Sequence, residues 1–129
     1  MQSIHDNEIV SYTVDLQKSK ITFQTLGGKD NSVPIIIEFI DILAHFFETQ
    51  LQGSILLDIS QCEISSFVKD NKKLLDNQKD SAWPMYYERT EDLLERLLHN
   101  NYNYYVIYAS YGLNGWVIAK EYSVYRQSI

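Results

Sequence analysis

A chain of 129 residues makes a single domain over 1–129, and its one Cys rules out an internal disulfide. Seventeen Asp plus Glu outweigh eleven Lys plus Arg, giving a net charge of −6 and a pI near 4.9; this disfavours nucleic acid or an anionic bilayer as ligand and favours a positively charged partner. An apolar share of 45%, a charged share of 22% and a mean hydropathy of −0.26 exclude an intrinsically disordered chain.

The opening MQSIHDNEIV carries no cationic stretch followed by an apolar one, so the expected location is cytoplasmic, without a secretory signal. From Val10 to Leu16 the pattern alternates, with Val10, Tyr12, Val14 and Leu16 on one face, which predicts a half-buried strand. Gln17-Lys18-Ser19 then leads to a second run in which Ile21, Phe23 and Thr25 share a face, predicting a hairpin. Gly27, Gly28, Lys29, Asp30 and Asn31 mark a loop; the paired glycines lack the strand-to-helix setting of an anion-binding turn.

Pro34 to Glu48 fits two templates. As a strand, Ile35, Ile37 and Phe39 face one way, and a bend near Phe39 passes the apolar face to Ile40, Ile42, Ala44 and Phe46. As a helix, Phe39, Ile42, Leu43, Phe46 and Phe47 oppose Glu38, Asp41, His45 and Glu48, with Pro34 in the first turn. Four isoleucines among the six residues after Pro34 favour the bent strand, because β-branched side chains lose rotamer freedom in helices. Either way, Glu38, Asp41 and His45 interrupt this longest apolar stretch, which is shorter than the about 20 residues of a membrane helix, so no membrane is expected as partner.

Ser54 to Ile59 reads as a central strand buried on both faces, and Cys62 as a small residue at its end, in keeping with a reducing compartment. Ile64, Phe67, Val68, Leu74 and Leu75 recur at helical spacing over 64–77, with Ser65 or Ser66 as cap. After Trp83-Pro84 a second helix is predicted over 85–99, with Leu93, Leu94, Leu97 and Leu98 on its buried face, Thr90 as a late cap and Asn100-Asn101 as its stop. Tyr102 to Ala109 and Trp116 to Tyr125 form a final hairpin, and Asn114-Gly115 between them is the dipeptide a type I′ turn prefers. The order β-β-β-β-α-α-β-β predicts an α+β domain: a mainly antiparallel curved sheet of about six strands with two helices packed on one face.

Searching for chemistry finds no Walker loop, G-x-G-x-x-G, H-E-x-x-H, nucleophile elbow or paired C-x-x-C. His5, His45 and His99 stand apart in sequence, so no catalytic residue, metal ligand or cofactor is expected. Asp58, His45 and Glu48 remain as a conceivable acid/base group that only the fold could assemble. A helix beginning near Pro84 would align Glu88, Glu91, Asp92 and Glu95 as one acidic stripe, flanked by Arg89 and Arg96. That stripe is the candidate docking surface for a basic protein, with Tyr111 from the tyrosine-rich stretch Tyr102, Tyr104, Tyr105, Tyr108, Tyr111 as a further contact.

The succession YTVDL, IIIEFIDILAHFFE, SILLDIS, Trp83-Pro84 and YYVIYASYGLNGWVIAK, from about Tyr12 to Tyr122, resembles small bacterial immunity-type proteins encoded beside polymorphic or contact-dependent growth inhibition toxins. Its landmarks are Phe39 with His45-Phe46-Phe47-Glu48, Trp83-Pro84, and the Ser110 to Ala119 segment. The resemblance implies a cytoplasmic protein, a monomer or weak homodimer, that binds a cognate toxin domain such as a nuclease and blocks it without catalysis. It carries over no contact residues. Two other readings stand beside it: a small-ligand binder or enzyme with its site in an aromatic mouth near Tyr105, Trp116 and His45, and an interaction module that dimerises through an exposed sheet edge.

Overall fold

The computed structural model describes residues 3–127. Six antiparallel strands run β1 (Glu8–Asp15), β2 (Lys20–Gly27), β3 (Val33–Glu48), β4 (Ile55–Cys62), β5 (Asn103–Tyr111) and β6 (Asn114–Arg126). Between β4 and β5 lie three helices, α1 (Ile64–Asp70), α2 (Lys72–Gln78) and α3 (Thr90–His99), with one 3-10 turn at Lys79–Ser81. The α+β class and the six antiparallel strands are those expected from the sequence. The sheet, however, closes into a barrel in the order β1-β2-β3-β6-β5-β4.

Closure depends on a short seam. Only Glu8↔Ile55 pairs across β1 and β4, supported by Ile9 N–H to Ser54 O at 2.8 Å, Leu56 N–H to Asn7 O at 2.9 Å and Asp6 N–H to Leu56 O at 2.9 Å. Two buried polar side chains fasten it. Asn7 Nδ2 donates to Thr25 Oγ1 at 3.1 Å, and Ser54 Oγ accepts from Leu113 N–H at 2.9 Å while donating to Leu51 O at 2.6 Å. Satisfied in this way, they do not carry the cost of unpaired buried polar groups.

Two apolar cores result, one on each face of the sheet. Inside the barrel, Ile21, Phe23, Ile37, Phe39, Ile59, Tyr105, Ile107 and Val117 pack together. Outside it, Phe67, Leu75, Leu93 and Leu97 from the helices cover Ala44, Tyr104, Trp116 and Ile118. The helices thus dock on one face as expected, but as three: the stretch read as one helix over 64–77 breaks at Asn71, which caps α1 through its N–H and its Nδ2, both donating to Phe67 O.

Several local readings are corrected. β1 contains a bulge at Val10, so Val10 turns outward while Ile9 takes the core place, and Leu16 sits exposed in the β1–β2 turn. β4 has two register shifts, the second at an exposed Leu57, and is not buried on both faces. β3 is a strand throughout, but its face changes twice rather than once near Phe39. Asp41 adopts a left-handed φ of 58°, and a register shift at Leu43 follows between Ile42 and Ala44. Ile42 and Phe47 therefore pack on the inner core, Ala44 belongs to the helix-covered core and Phe46 is exposed.

The last hairpin pairs as predicted, Tyr104↔Ile118 through Ile107↔Gly115, but it turns at Gly112-Leu113. Asn114-Gly115 opens β6 instead. Gly115 is required there because a Cβ would lie 1.9 Å from Phe46 O across the β3–β6 ladder. None of the expected side-chain caps forms: α1 starts from Glu63 and α3 from Arg89, without side-chain cap bonds. The expected stop does hold, with Asn100 Nδ2 donating to Arg96 O at 2.9 Å and Asn101 at a left-handed φ of 62°.

Candidate functional site

The acidic residues come together, though not as one helical stripe. α3 begins at Thr90 rather than near 85, so Glu88 lies in the irregular segment that precedes it. Long-range contacts hold that segment. Lys79 Nζ donates to Glu88 O and stands 5.5 Å over the buried Tyr87 ring, and Arg96 Nη1 donates to Tyr86 O at 3.1 Å. These bonds fold Glu88 back against the helix, and Tyr86, Glu88, Asp92, Glu95 and Arg96 line one open cleft of about 300 Å³.

Within the cleft, Tyr86 is 64% exposed and its hydroxyl donates to Glu88 Oε1 at 3.3 Å. Asp92 meets Arg89 Nε at 3.7 Å outside a fully desolvated setting, a contact of little energetic weight. Glu91 and Asp92 fall in the first turn of α3, where the helix dipole favours negative charge. The like-charge repulsion expected of a mid-helix stripe is offset accordingly. Glu91 does not line the cleft, and Leu98, read as a core residue, is 56% exposed. The arrangement offers three carboxylates and a phenol to a cationic side chain, with Arg96 as the one cation in the lining.

Tyr111 is not part of this group. It ends β5 opposite Ile55, at the far end of that strand from Asn103, which follows α3, and it does not line the cleft.

The aromatic mouth does not assemble. Tyr105 packs inside the barrel against Phe39 and Tyr122, with ring centroids at 5.6 and 5.0 Å, whereas Trp116 points to the helix side. His45 lines a different cleft, of about 340 Å³, with Asp15, Lys20, Leu43 and Trp83, where partial burial holds its imidazole below the usual 6.5. Glu48 lines another cleft, and Asp58 lies on β4 opposite Tyr108, so Asp58, His45 and Glu48 do not converge as an acid/base group. Among the described residues, no three His, Cys, Asp or Glu side chains are placed to hold a metal ion, and no helix is long and apolar enough to cross a membrane. A further cleft, about 600 Å³, runs along Glu8 to Tyr12 and Gln50 to Ser54, where the Tyr12 hydroxyl donates to Gln50 Oε1.

Sequence reading missed Tyr86, whose place depends on the Arg96 bond, and the exposed pair Phe46 and Tyr108, which depend on the β3 irregularities and the β5 register. Compared with protein-family models, curated proteins and solved structures, the chain finds no match.

Proposed function

We propose that this chain is an immunity-type protein that binds a basic toxin domain, such as a nuclease, in the cytoplasm and neutralises it by steric and electrostatic blocking, with no turnover and no cofactor of its own. The convergence of Glu88, Asp92 and Glu95 with the exposed Tyr86 around one cleft carries the reading. The sequence resemblance from Tyr12 to Tyr122 supports it. A domain that grips phosphates is cationic, so an inhibitor of net charge −6 gains association rate by electrostatic steering and disfavours acidic competitors. Tyr86 supplies a rigid aromatic contact with a polar tip, the kind of side chain that anchors interfaces.

The test is to purify the product of the adjacent gene and measure its association with wild type and with a Glu88→Lys, Glu95→Lys variant at two ionic strengths. Wild type is expected to bind tightly and faster at low salt. The variant is expected to associate at least tenfold more slowly with a flatter salt dependence, because peripheral charges act chiefly on the on-rate. Absence of binding by wild type removes the immunity reading, and equal kinetics for the two proteins removes the α3 cleft from it.

A further inference from the structure

The three helices leave part of the sheet's outer face uncovered. Near Asn71, two cross-strand rows border the opening. The first runs from the exposed Phe46 through the buried Trp116, which the helices cover, to the half-buried Val106, set by the pairs Phe46↔Trp116 and Val106↔Trp116. The second holds Glu48, Asn114 and Tyr108, set by Glu48↔Asn114 and by Tyr108 one residue past the last β5–β6 pair, and extends to Asp58 through Asp58↔Tyr108. Together these rows form the floor of an open groove of about 400 Å³ lined by Phe46, Glu48, Asn71, Val106, Tyr108 and Trp116.

We propose that this groove docks an extended segment of a partner protein that carries an arginine or lysine between apolar side chains. It is a surface separate from the α3 cleft.

Phe46 is 39% and Tyr108 46% exposed, aromatic area that a folded chain would bury if its own elements could reach it. Phe46 stacks on the Trp116 indole at 6.4 Å and an interplanar angle of 20°. The indole is itself fixed against Phe67 at 4.9 Å and Tyr104 at 6.3 Å. A preformed aromatic floor loses little side-chain freedom on binding, which is what makes such positions anchors.

The polar part selects the sign of the occupant. No Lys, Arg or His lines the groove, in contrast to the α3 cleft with Arg96. Its polar atoms are mostly acceptors. Asn71 Nδ2 donates to Phe67 O at 3.0 Å and to the Tyr104 hydroxyl at 3.4 Å, and Asn114 Nδ2 to Gly112 O at 3.3 Å, so the acceptors in the lining are the two amide oxygens and the Glu48 carboxylate, with Asp58 outside it on the neighbouring strand. A guanidinium or ammonium group satisfies such acceptors and gains further from lying over an aromatic face. An acidic occupant would meet the Glu48 carboxylate with no counter-charge in the lining. The floor is a strand face open along its length rather than an enclosed pocket, which suits a polypeptide over a small metabolite.

The test pans a phage-displayed library of random 12-residue peptides on immobilised wild-type protein and titrates synthetic copies of the enriched peptides. Enriched peptides are expected to share a Lys or Arg flanked by apolar residues. Their Kd should rise at least tenfold on Glu48→Lys and on Phe46→Ser, and stay within twofold on Glu88→Lys, Glu95→Lys. Both groove substitutions are at exposed side chains, and a melting temperature near wild type confirms that each variant is folded. Tyr108→Ser serves as a further groove variant if Phe46→Ser melts early. No enrichment over a blank surface overturns the proposal, as does enrichment of peptides without a cation. Equal binding by wild type and Glu48→Lys, or a loss confined to the α3 variant, does the same. Because the α3 variant is scored separately, failure here leaves the immunity reading intact, and failure there leaves the groove intact.

Discussion

Replacing Trp116 by Ala tests the architecture at the point where most of its parts meet. Trp116 is 5% exposed and packs against Phe67, Trp83 and Tyr104 at centroid distances of 4.9, 5.9 and 6.3 Å, with Phe46 over its outer edge. It joins β6 to α1 and to the Trp83 segment, so no single neighbour can move in to fill its space. A buried indole hides about 200 Å² of apolar surface, which at about 25 cal/mol per Å² corresponds to roughly 5 kcal/mol. The retained methyl and partial collapse of the cavity bring the expected cost to about 4 kcal/mol. With a urea slope of about 2 kcal/mol per molar, the unfolding midpoint should fall by about 2 M when followed by far-UV circular dichroism. Phe46→Ala, which touches the same indole from the exposed side, should cost only about 1 kcal/mol. A Trp116→Ala midpoint within a few tenths molar of wild type would refute the helix-covered second core, and equal costs for the two variants would place Phe46 within it.

Two further outcomes follow from the same structure. Burial holds the His45 pKa below its ordinary value, so the unfolded chain binds the proton more readily; stability is complete above pH 6.5 and falls as pH drops through 6.5 toward the folded value. Melting temperatures between pH 7.5 and 5 should therefore decline more for wild type than for His45→Gln, and parallel profiles would contradict the desolvated imidazole. Gly115→Ala should destabilise by about 2 kcal/mol or more, since its Cβ would stand 1.9 Å from Phe46 O and force the β3 and β6 backbones apart; thermal unfolding within a degree of wild type would show that the ladder does not approach that closely.

Much of the fold was legible because it rests on local pattern. β2 alternates without interruption, and Ile21, Phe23 and Thr25 all face the barrel interior. β5 and β6 carry enough aromatic and β-branched residues to be recognised as partners. What the pattern could not show is where it breaks. Val10, Asp41 and Leu43 each insert an irregularity that reverses the faces of the residues after it, and no side chain there announces it. The start of α3 was misread for another reason: 85–89 are compatible with a helix, but the bonds from Lys79 and Arg96 to the Glu88 and Tyr86 carbonyls hold the segment outside one. Glu88, Asp92 and Glu95 still meet because that fold-back returns Glu88 to the helix, so the acidic group was legible in composition but not in geometry. Tyr111 stands among a crowd of tyrosines whose composition does not separate them, whereas strand parity sends Tyr104 and Tyr105 to opposite cores and leaves Tyr108 beside Trp116.

Neutralisation by binding and neutralisation by turnover differ in stoichiometry, which a titration of the toxin with this protein measures. The product of the adjacent gene, a toxin domain on the proposed reading, is held at a fixed concentration well above the expected Kd, its activity is assayed, and this protein is added in increments. Residual activity is expected to fall linearly with added protein and reach zero near an equimolar ratio, with activity restored when the complex is dissociated and the toxin refolded alone. Complete loss of activity at a small fraction of an equivalent, growing with incubation time and not restored by separation, would show chemical turnover and contradict neutralisation by binding. So would full toxin activity in the presence of a large excess of the protein.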